Sequence, residues 1–177
     1  RYDARHARQV AHMVTRLFDL LQAEHRCTSL HRLILEVAAR LHDTGVFINA
    51  RGHHKHSMYI IQHTEFPGLN AGVINLIAMV ARYHRKAMPQ TTHPDYMALS
   101  HEDRLAVCKL AALLRVADAL DRVHDQSLGD IRFDLQDDVL TCIPAQPVDI
   151  SAEQLALAEK GDLFEQIYGR KCLIRNP

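Results

Sequence analysis

The stretch RLHDTGVFINARGHHKHS gathers side chains that bind metal ions. His42 and Asp43 are adjacent, and His53 and His56 follow a short loop, with another histidine between them. Histidine is the commonest metal ligand, and carboxylate oxygens join it in mixed sites. Because the backbone diverges at the end of a helix, both members of an adjacent histidine–aspartate pair can reach one centre there. The stretch therefore predicts part of a metal site.

Composition limits the class of protein. The 177 residues are 47% hydrophobic and 24% charged, which suits one globular core. The 21 basic and 21 acidic residues give a formal net charge of +0, which argues against a DNA or membrane-surface partner. The cysteines form no CxxC pair, as expected of buried thiols in a reducing cytosol. No apolar run reaches the roughly 18 residues of a membrane span, so we expect a cytoplasmic protein.

Helical spacing of apolar residues predicts five helices in the first part of the chain. Their expected extents are residues 3–25, 29–43, 54–63, 70–86 and 100–124. After these, IRFDL and VLTCI alternate as the strands of a hairpin, a helix is expected over 151–168, and KCLIR predicts a third strand. The expected fold class is mainly α. It comprises a helical bundle at 1–125 and a small hairpin–helix–strand subdomain at 126–177 packed on it.

Each of the five helices carries a metal-competent side chain where the pattern calls for an apolar one. These residues are His6, His42 with Asp43, His56, His84 and Asp118. A shared cation would relieve the cost of burying several unpaired imidazoles and carboxylates. Nitrogen and oxygen ligands without thiolate favour a reactive first-row ion over a structural zinc site, and bundles build such centres from several helices. Asp43 could bridge two ions about 3.5–4 Å apart that activate water for attack on phosphorus.

Each residue alone also has an ordinary explanation. A single inward-facing histidine such as His6 is usually a core residue. Asp118 could pair with Arg115 or Arg122, and His84 could interact favourably with the end of its own helix. The joint occurrence of these residues across five helices is what favours a metal centre.

Basic residues surround the histidine-rich segment and the end of the fourth predicted helix. Arginine suits phosphate because its planar fork binds two oxygens at once. Any one of these residues could be part of a solvated helix end, but the cluster predicts a phosphorylated substrate. The candidate phosphate-binding residues are Lys55, Arg82, Arg85, Lys86 and, as a further substrate contact, His53.

The order of the candidate ligands resembles the HD superfamily of metal-dependent phosphohydrolases. The segments YDARHARQVA, LHDTGVFIN, GHHKHSMYII, VARYHRKAMP and LAALLRVADALDR resemble more narrowly the C-terminal HD-like domain of the exopolyphosphatase and guanosine pentaphosphate phosphatase (Ppx/GppA) family. The resemblance covers nearly the entire chain and implies an HD-type helical bundle. It implies one or two divalent ions (Mn, Fe, Zn, Ni, Co or Mg), Asp43 as the catalytic residue, and two ligand sets. The first set is His6, His42, Asp43 and Asp118, and the second is Asp43, His56 and His84.

The resemblance also implies partners. Members of the family carry actin-like domains that hydrolyse polyphosphate or pppGpp, so this chain is expected to be a separated C-terminal piece. In the family the domain is linked to dimerisation and to a longer polyphosphate path, and several members have a degenerate HD set, whereas this chain keeps every position. Val46 stands where the cyclic-dinucleotide phosphodiesterases of the superfamily have a lysine, which argues against that activity.

Three functions are compatible with these observations. The first is a metal-dependent phosphohydrolase acting on a phosphomonoester, a nucleotide or polyphosphate. The second is a non-catalytic, homodimeric module that binds polyphosphate or (p)ppGpp and serves an actin-like phosphatase portion. The third is a helical interaction domain whose metal is structural.

Overall fold

Helices dominate the chain, as the apolar spacing predicts. The computed structural model describes residues 2–85 and 87–177. Within them the elements are α1 (Ala4–Leu20), α2 (Gln22–His25), α3 (Ser29–Leu41), a 3-10 turn (Thr44–Phe47), α4 (His53–Gln62), α5 (Ala71–Arg82), α6 (Pro94–Met97), α7 (His101–Ala119), β1 (Ile131–Gln136), β2 (Val139–Pro144), α8 (Ser151–Lys160), α9 (Asp162–Tyr168) and β3 (Lys171–Ile174). The predicted class, mainly α with a small strand-bearing appendage, is confirmed.

Helix α1 shows how the sequence builds the bundle. The side chain of Asp3 accepts hydrogen bonds from the backbone N–H groups of Arg5 and His6 and so caps the start of the helix. Val10, Val14 and Leu17 are fully buried, and burying such a side chain stabilises the fold by roughly 1.5–3 kcal/mol. The apolar face of α1 packs on α3 and α7, and α5 packs on the same two helices. The bundle is therefore the scaffold that holds the candidate ligands.

Two predicted helices end earlier in the structure. The fourth was predicted to reach Lys86, but α5 ends at Arg82, and Lys86 lies outside the described residues. The fifth was predicted to reach His124, but α7 ends at Ala119. A turn follows in which His124 adopts a left-handed φ of 63°, which a continuing helix does not allow. The turn redirects this histidine toward the bundle centre.

Two other predicted helices are each split. The first divides at Leu21 into α1 and α2. The last divides at Gly161 into α8 and α9, because the carbonyl of Lys160 accepts a hydrogen bond from the buried Arg115 Nε (2.9 Å). A side chain at Gly161 would place its Cβ 2.7 Å from the carbonyl oxygen of Leu157, so the sharp junction requires glycine.

The predicted hairpin and third strand are confirmed. β1 pairs antiparallel with β2, and β3 adds to β2 in parallel, with Leu140 opposite Cys172. The parallel pairing needs a crossover, which α8 and α9 supply. Leu140, Ile150 and Phe164 belong to the same hydrophobic cluster as the bundle helices, so the appendage shares the core of the bundle. The domain boundary near residue 125 stays a prediction.

None of the helices described in the structure combines the length and apolar character that crossing a membrane requires.

Candidate metal centre

Two buried histidines at helix ends present the same ring nitrogen to the centre of the bundle. His42 caps the C-terminus of α3, and its Nδ1 lies 2.7 Å from the carbonyl oxygen of Ala39. His84 follows α5, and its Nδ1 lies 2.7 Å from the carbonyl oxygen of Ala81. Because a carbonyl only accepts, Nδ1 carries the proton in each ring. Nε2 is then left as the nitrogen that could bind a metal.

The first group of ligand atoms comes from α1, α3 and α7. Asp121 Oδ2 lies 2.7 Å from His6 Nδ1 and orients that ring. As a result, His6 Nε2 faces Asp118 Oδ1 at 3.4 Å, and His42 Nε2 faces the same oxygen at 3.6 Å. The ligand atoms of His6, His42 and Asp118 all lie within 4.8 Å of one another and could hold one ion.

The second group adjoins the first through His42 and Asp43. Asp43 Oδ2 lies 3.7 Å from His42 Nε2, and its Oδ1 lies 3.6 Å from His84 Nε2. The two oxygens of one carboxylate thus face different imidazoles. His53 Nε2 lies 3.1 Å from Asp43 Oδ1 and 3.0 Å from His84 Nε2, so it contacts two members of this group.

The donor set fits a divalent cation. His6 Nε2 and His42 Nε2 are buried and have no hydrogen-bond partner within the described residues. Leaving a buried polar atom unpaired costs roughly 1–3 kcal/mol, and one cation would satisfy both nitrogens. Imidazole nitrogens with carboxylate oxygens and no thiolate suit first-row ions.

Close packing against Gly45 brings the start of α4 to the centre. A Cβ at Gly45 would lie 2.2 Å from the carbonyl oxygen of His53 and 2.4 Å from the backbone nitrogen of Ser57, so only glycine fits. Ser57 Oγ donates to the carbonyl oxygen of His42 (2.5 Å) and accepts from the backbone N–H of Gly45 (2.9 Å). This clamp holds the first turn of α4 against the His42–Asp43 turn.

The structure gives His53 and His56 different contacts, and the role of each residue stays a prediction. His56 was predicted as a ligand and His53 as a substrate contact. Neither histidine belongs to the three ligand groups found among the described residues, and the Cβ of His56 lies beside Gly45. His53, at the first position of α4, reaches Asp43 instead. This placement favours His53 over His56 in the second group.

Two residues of the centre were not predicted from the sequence. Asp121 orients His6, and its spacing of three residues from Asp118 was a helical signal that could have revealed it. His124 stacks on His6 with the ring centroids 3.6 Å apart, and it forms a third ligand group with His6 and Asp43. Its left-handed turn leaves no periodic signal, which is why the sequence did not reveal it.

The electrostatics of the centre favour an ionised Asp43. Burial alone would raise the pKa of this carboxyl, but His42, His53 and His84 together lower it well below its usual range. Asp118 behaves similarly: burial opposes its charge, whereas Lys160, whose Nζ contacts Oδ2, lowers its pKa most strongly. Both carboxylates are thus available as anionic ligands at neutral pH.

Two of the candidate phosphate-binding residues line one cavity together with Tyr83, the residue before His84. Lys55 and Arg82 line a cavity of about 250 Å³, and Arg82 Nη1 is a buried donor without a partner in the described part of the chain. Burial, followed by the charges of Arg82 and Arg85, lowers the pKa of His54 to about 4. The part of this shift that comes from Arg82 and Arg85 reflects positive charge near His54, which would favour an anion. Lys86, also predicted here, is outside the described residues.

His6 should make the stability of the metal-free protein depend on pH. Burial opposes protonation of His6, but Asp118 and Asp121 outweigh it and raise its pKa from 6.5 to about 9. The stabilisation from the charged ring is fully present below pH 6.5 and is lost as the pH rises through about 9. We expect the free energy of unfolding in EDTA to fall by about 3 kcal/mol across this interval, as measured by urea denaturation.

His6→Gln should remove most of this decline. His12→Gln, which changes an exposed histidine of the same helix, should retain it. A wild-type protein whose unfolding free energy rises over the same pH interval would contradict the assignment.

Helical bundles that gather histidine and aspartate side chains at one centre form a recognisable class, and this chain has that architecture. The family model described as "Ppx/GppA phosphatase, domain III" matches residues 1–144, and the chain belongs to this family. The resemblance to the Ppx/GppA family is therefore confirmed, and the resemblance to the HD superfamily is compatible with it.

Two curated relatives share a name and match much of this chain. Guanosine-5'-triphosphate,3'-diphosphate pyrophosphatase of Pseudoalteromonas translucida (strain TAC 125) is 30% identical over 140 residues, which is 78% of this chain and 27% of that protein. The protein of the same name from Vibrio vulnificus (strain YJ016) is 31% identical over 110 residues, 62% of this chain and 21% of that protein. The chain thus spans about a quarter of the length of these relatives.

Proposed function

We propose that this domain is a metal-dependent phosphohydrolase that cleaves a phosphate ester or anhydride. The observation that carries the proposal is the position of Asp43, whose two carboxylate oxygens face different imidazoles of two adjoining ligand groups. Such a carboxylate is suited to bridging two cations or to orienting one. The HD-type arrangement implied by the sequence is compatible with this geometry.

The proposed ligands follow from the distances. His6, His42, Asp43 and Asp118 would hold the first ion, and Asp43, His84 and His53 the second. A bound divalent ion supplies a Lewis acid for the phosphoryl oxygens and lowers the pKa of water. The hydrogen bonds from Nδ1 of His42 and His84 to backbone carbonyls keep both rings oriented, so little reorganisation is needed.

The proposed substrate is a polyanion with phosphoanhydride bonds. Lys55, Arg82 and Arg85 create local positive charge beside the ligand groups although the chain as a whole is neutral. The curated relatives are named for hydrolysis of guanosine-5'-triphosphate,3'-diphosphate, which makes this nucleotide, together with polyphosphate, a first choice.

Metal removal tests the proposal. We expect the purified chain to contain a divalent ion and to release phosphate from at least one member of a panel of p-nitrophenyl phosphate, guanosine-5'-triphosphate,3'-diphosphate and polyphosphate. EDTA should lower the rate at least about tenfold, and Mn²⁺ should restore it, because the ion supplies the Lewis acid. Elemental analysis and a phosphate-release assay provide the two measurements.

The two measurements test catalysis and the ligand assignment separately. A chain that binds metal but releases no phosphate from any member of the panel would contradict catalysis. A chain that binds no metal would contradict the ligand assignment as well.

The second candidate is a non-catalytic module that binds polyphosphate or a guanosine polyphosphate. The observation that favours it is the extent of the match, since the relatives carry about three quarters of their length outside the matched region. In this case the domain would serve an actin-like phosphatase portion and form a homodimer. Binding of polyphosphate without turnover, together with a dimeric mass in light scattering, would support this candidate.

A further inference from the structure

A lysine from the C-terminal appendage reaches into the proposed metal centre. Lys160 is the last residue of α8, and its Nζ contacts Asp118 Oδ2. The lysine is buried, with 8% of its surface exposed, and Asp118 is 7% exposed. Asp118 Oδ1 meanwhile faces the imidazoles of His6 and His42. One oxygen of this carboxylate therefore faces the proposed ion, and the other is held by an ammonium group.

Contacts hold both the backbone and the side chain of Lys160 in place. Its carbonyl oxygen accepts a hydrogen bond from Arg115 Nε at 2.9 Å, and Arg115 Nη2 lies 2.5 Å from Asp162 Oδ1. Arg115 and Asp118 stand three residues apart on α7, so one face of this helix binds both the backbone and the side chain of Lys160. The contact is thus part of the docking of α8 on the bundle.

The carboxylates at the centre explain why the contact between Lys160 and Asp118 matters. The buried Asp118 and Asp121 share contacts with His6, and the half-buried Asp43 shares His42 with Asp118, so three carboxylates surround the same pair of imidazoles. Without a metal, a buried carboxylate needs a compensating charge close by. Lys160 supplies that charge directly to Asp118.

We infer that Lys160 is an internal cation that neutralises Asp118 in the metal-free protein and weakens the binding of divalent ions. The inference rests on the proposed function, because it takes Asp118 to be a metal ligand. The ammonium repels a dication in the same site and occupies Oδ2, which leaves only Oδ1 for coordination. Lys160 is therefore a positioning residue that sets metal affinity, and we expect the chain to stay folded without metal.

Replacing the ammonium tests this role. In Lys160→Met, which keeps the apolar stem, we expect the Kd for Mn²⁺ to fall at least about tenfold, measured from free Mn²⁺ by electron paramagnetic resonance. The Tm in EDTA should fall by about 5–10 °C, because Asp118 loses its partner, and Mn²⁺ should raise the Tm more than in the wild type. Lys160→Arg, which keeps the charge, should bind Mn²⁺ as the wild type does.

Lys109→Met is the matched control. Lys109 is a half-buried lysine of α7 whose Nζ donates to the carbonyl oxygen of His25 at 2.9 Å, and neither residue belongs to a ligand group. Its removal should leave the Kd for Mn²⁺ unchanged, whatever it does to the Tm. A loss of stability alone therefore cannot imitate tighter metal binding.

Three results would overturn the inference or its basis. If the wild type binds Mn²⁺ but Lys160→Met binds it equally or more weakly, the role of Lys160 is wrong and the metal centre stands. If the wild type binds no Mn²⁺, the proposed centre itself is wrong. If Lys160→Met cannot be purified, the wild type decides: unfolding of the wild-type chain in EDTA would show that Lys160 does not replace the ion.

Discussion

Asp43→Ala is expected to lower phosphate release at least about a hundredfold and to reduce bound metal, because Asp43 is the carboxylate that the two ligand groups share. Removing it leaves His42, His53 and His84 without the anion that lies between them. The charge balance at the centre would then oppose binding of a dication. The rate is measured at saturating substrate, and metal content by elemental analysis of the same preparation.

One further variant tests whether the charge of Asp43 matters apart from its size, and a second variant is a control. Asp43→Asn keeps the size of the side chain but removes the negative charge, and we expect it to lose activity as the alanine variant does. Asp149→Ala removes an exposed carboxylate of the appendage and should change neither rate nor metal content. If Asp43→Ala retains the wild-type rate and metal content, Asp43 has no part in the chemistry.

The helical ligands could be predicted because the bundle imposes a period on the sequence. His6 lies four residues before Val10, and Asp118 lies four residues after Leu114, so both fall on apolar faces. The structure shows the same faces buried. For these residues the helical period alone gives the direction of the side chain.

The remaining parts of the centre depend on contacts that no local period encodes. Lys160 reaches Asp118 across 42 residues of sequence, and Arg115 binds the carbonyl oxygen of Lys160 directly before the break at Gly161. His124 reaches His6 through a left-handed turn. Tertiary packing, rather than propensity, decides these positions, so they become visible only when the helices are assembled.

Tertiary packing also decides which of His53 and His56 reaches Asp43. Both lie in the first turn of α4, and the sequence gives no reason why one of them should reach Asp43. The clamp of Gly45 and Ser57 decides it by fixing how α4 approaches the His42–Asp43 turn. The metal role of either residue stays a prediction until it is tested.

We therefore expect His53→Ala to lower phosphate release by about a hundredfold and His56→Ala to change it less than about twofold. His53 Nε2 lies 3.1 Å from Asp43 Oδ1 and 3.0 Å from His84 Nε2, so its loss removes a donor from the second ligand group. Titration with Mn²⁺ should show weaker binding of the second ion in the His53 variant alone.

The pair of variants controls for its own structural effects. Both remove one imidazole from the same turn of α4, and both replacements favour the helix, so damage to the helix would affect them alike. A difference in phosphate release between the two variants therefore reflects how close each ring lies to Asp43. If His56→Ala loses activity and second-ion binding while His53→Ala keeps both, the ligand set implied by the sequence is right, and the approach of α4 to Asp43 differs from the one described.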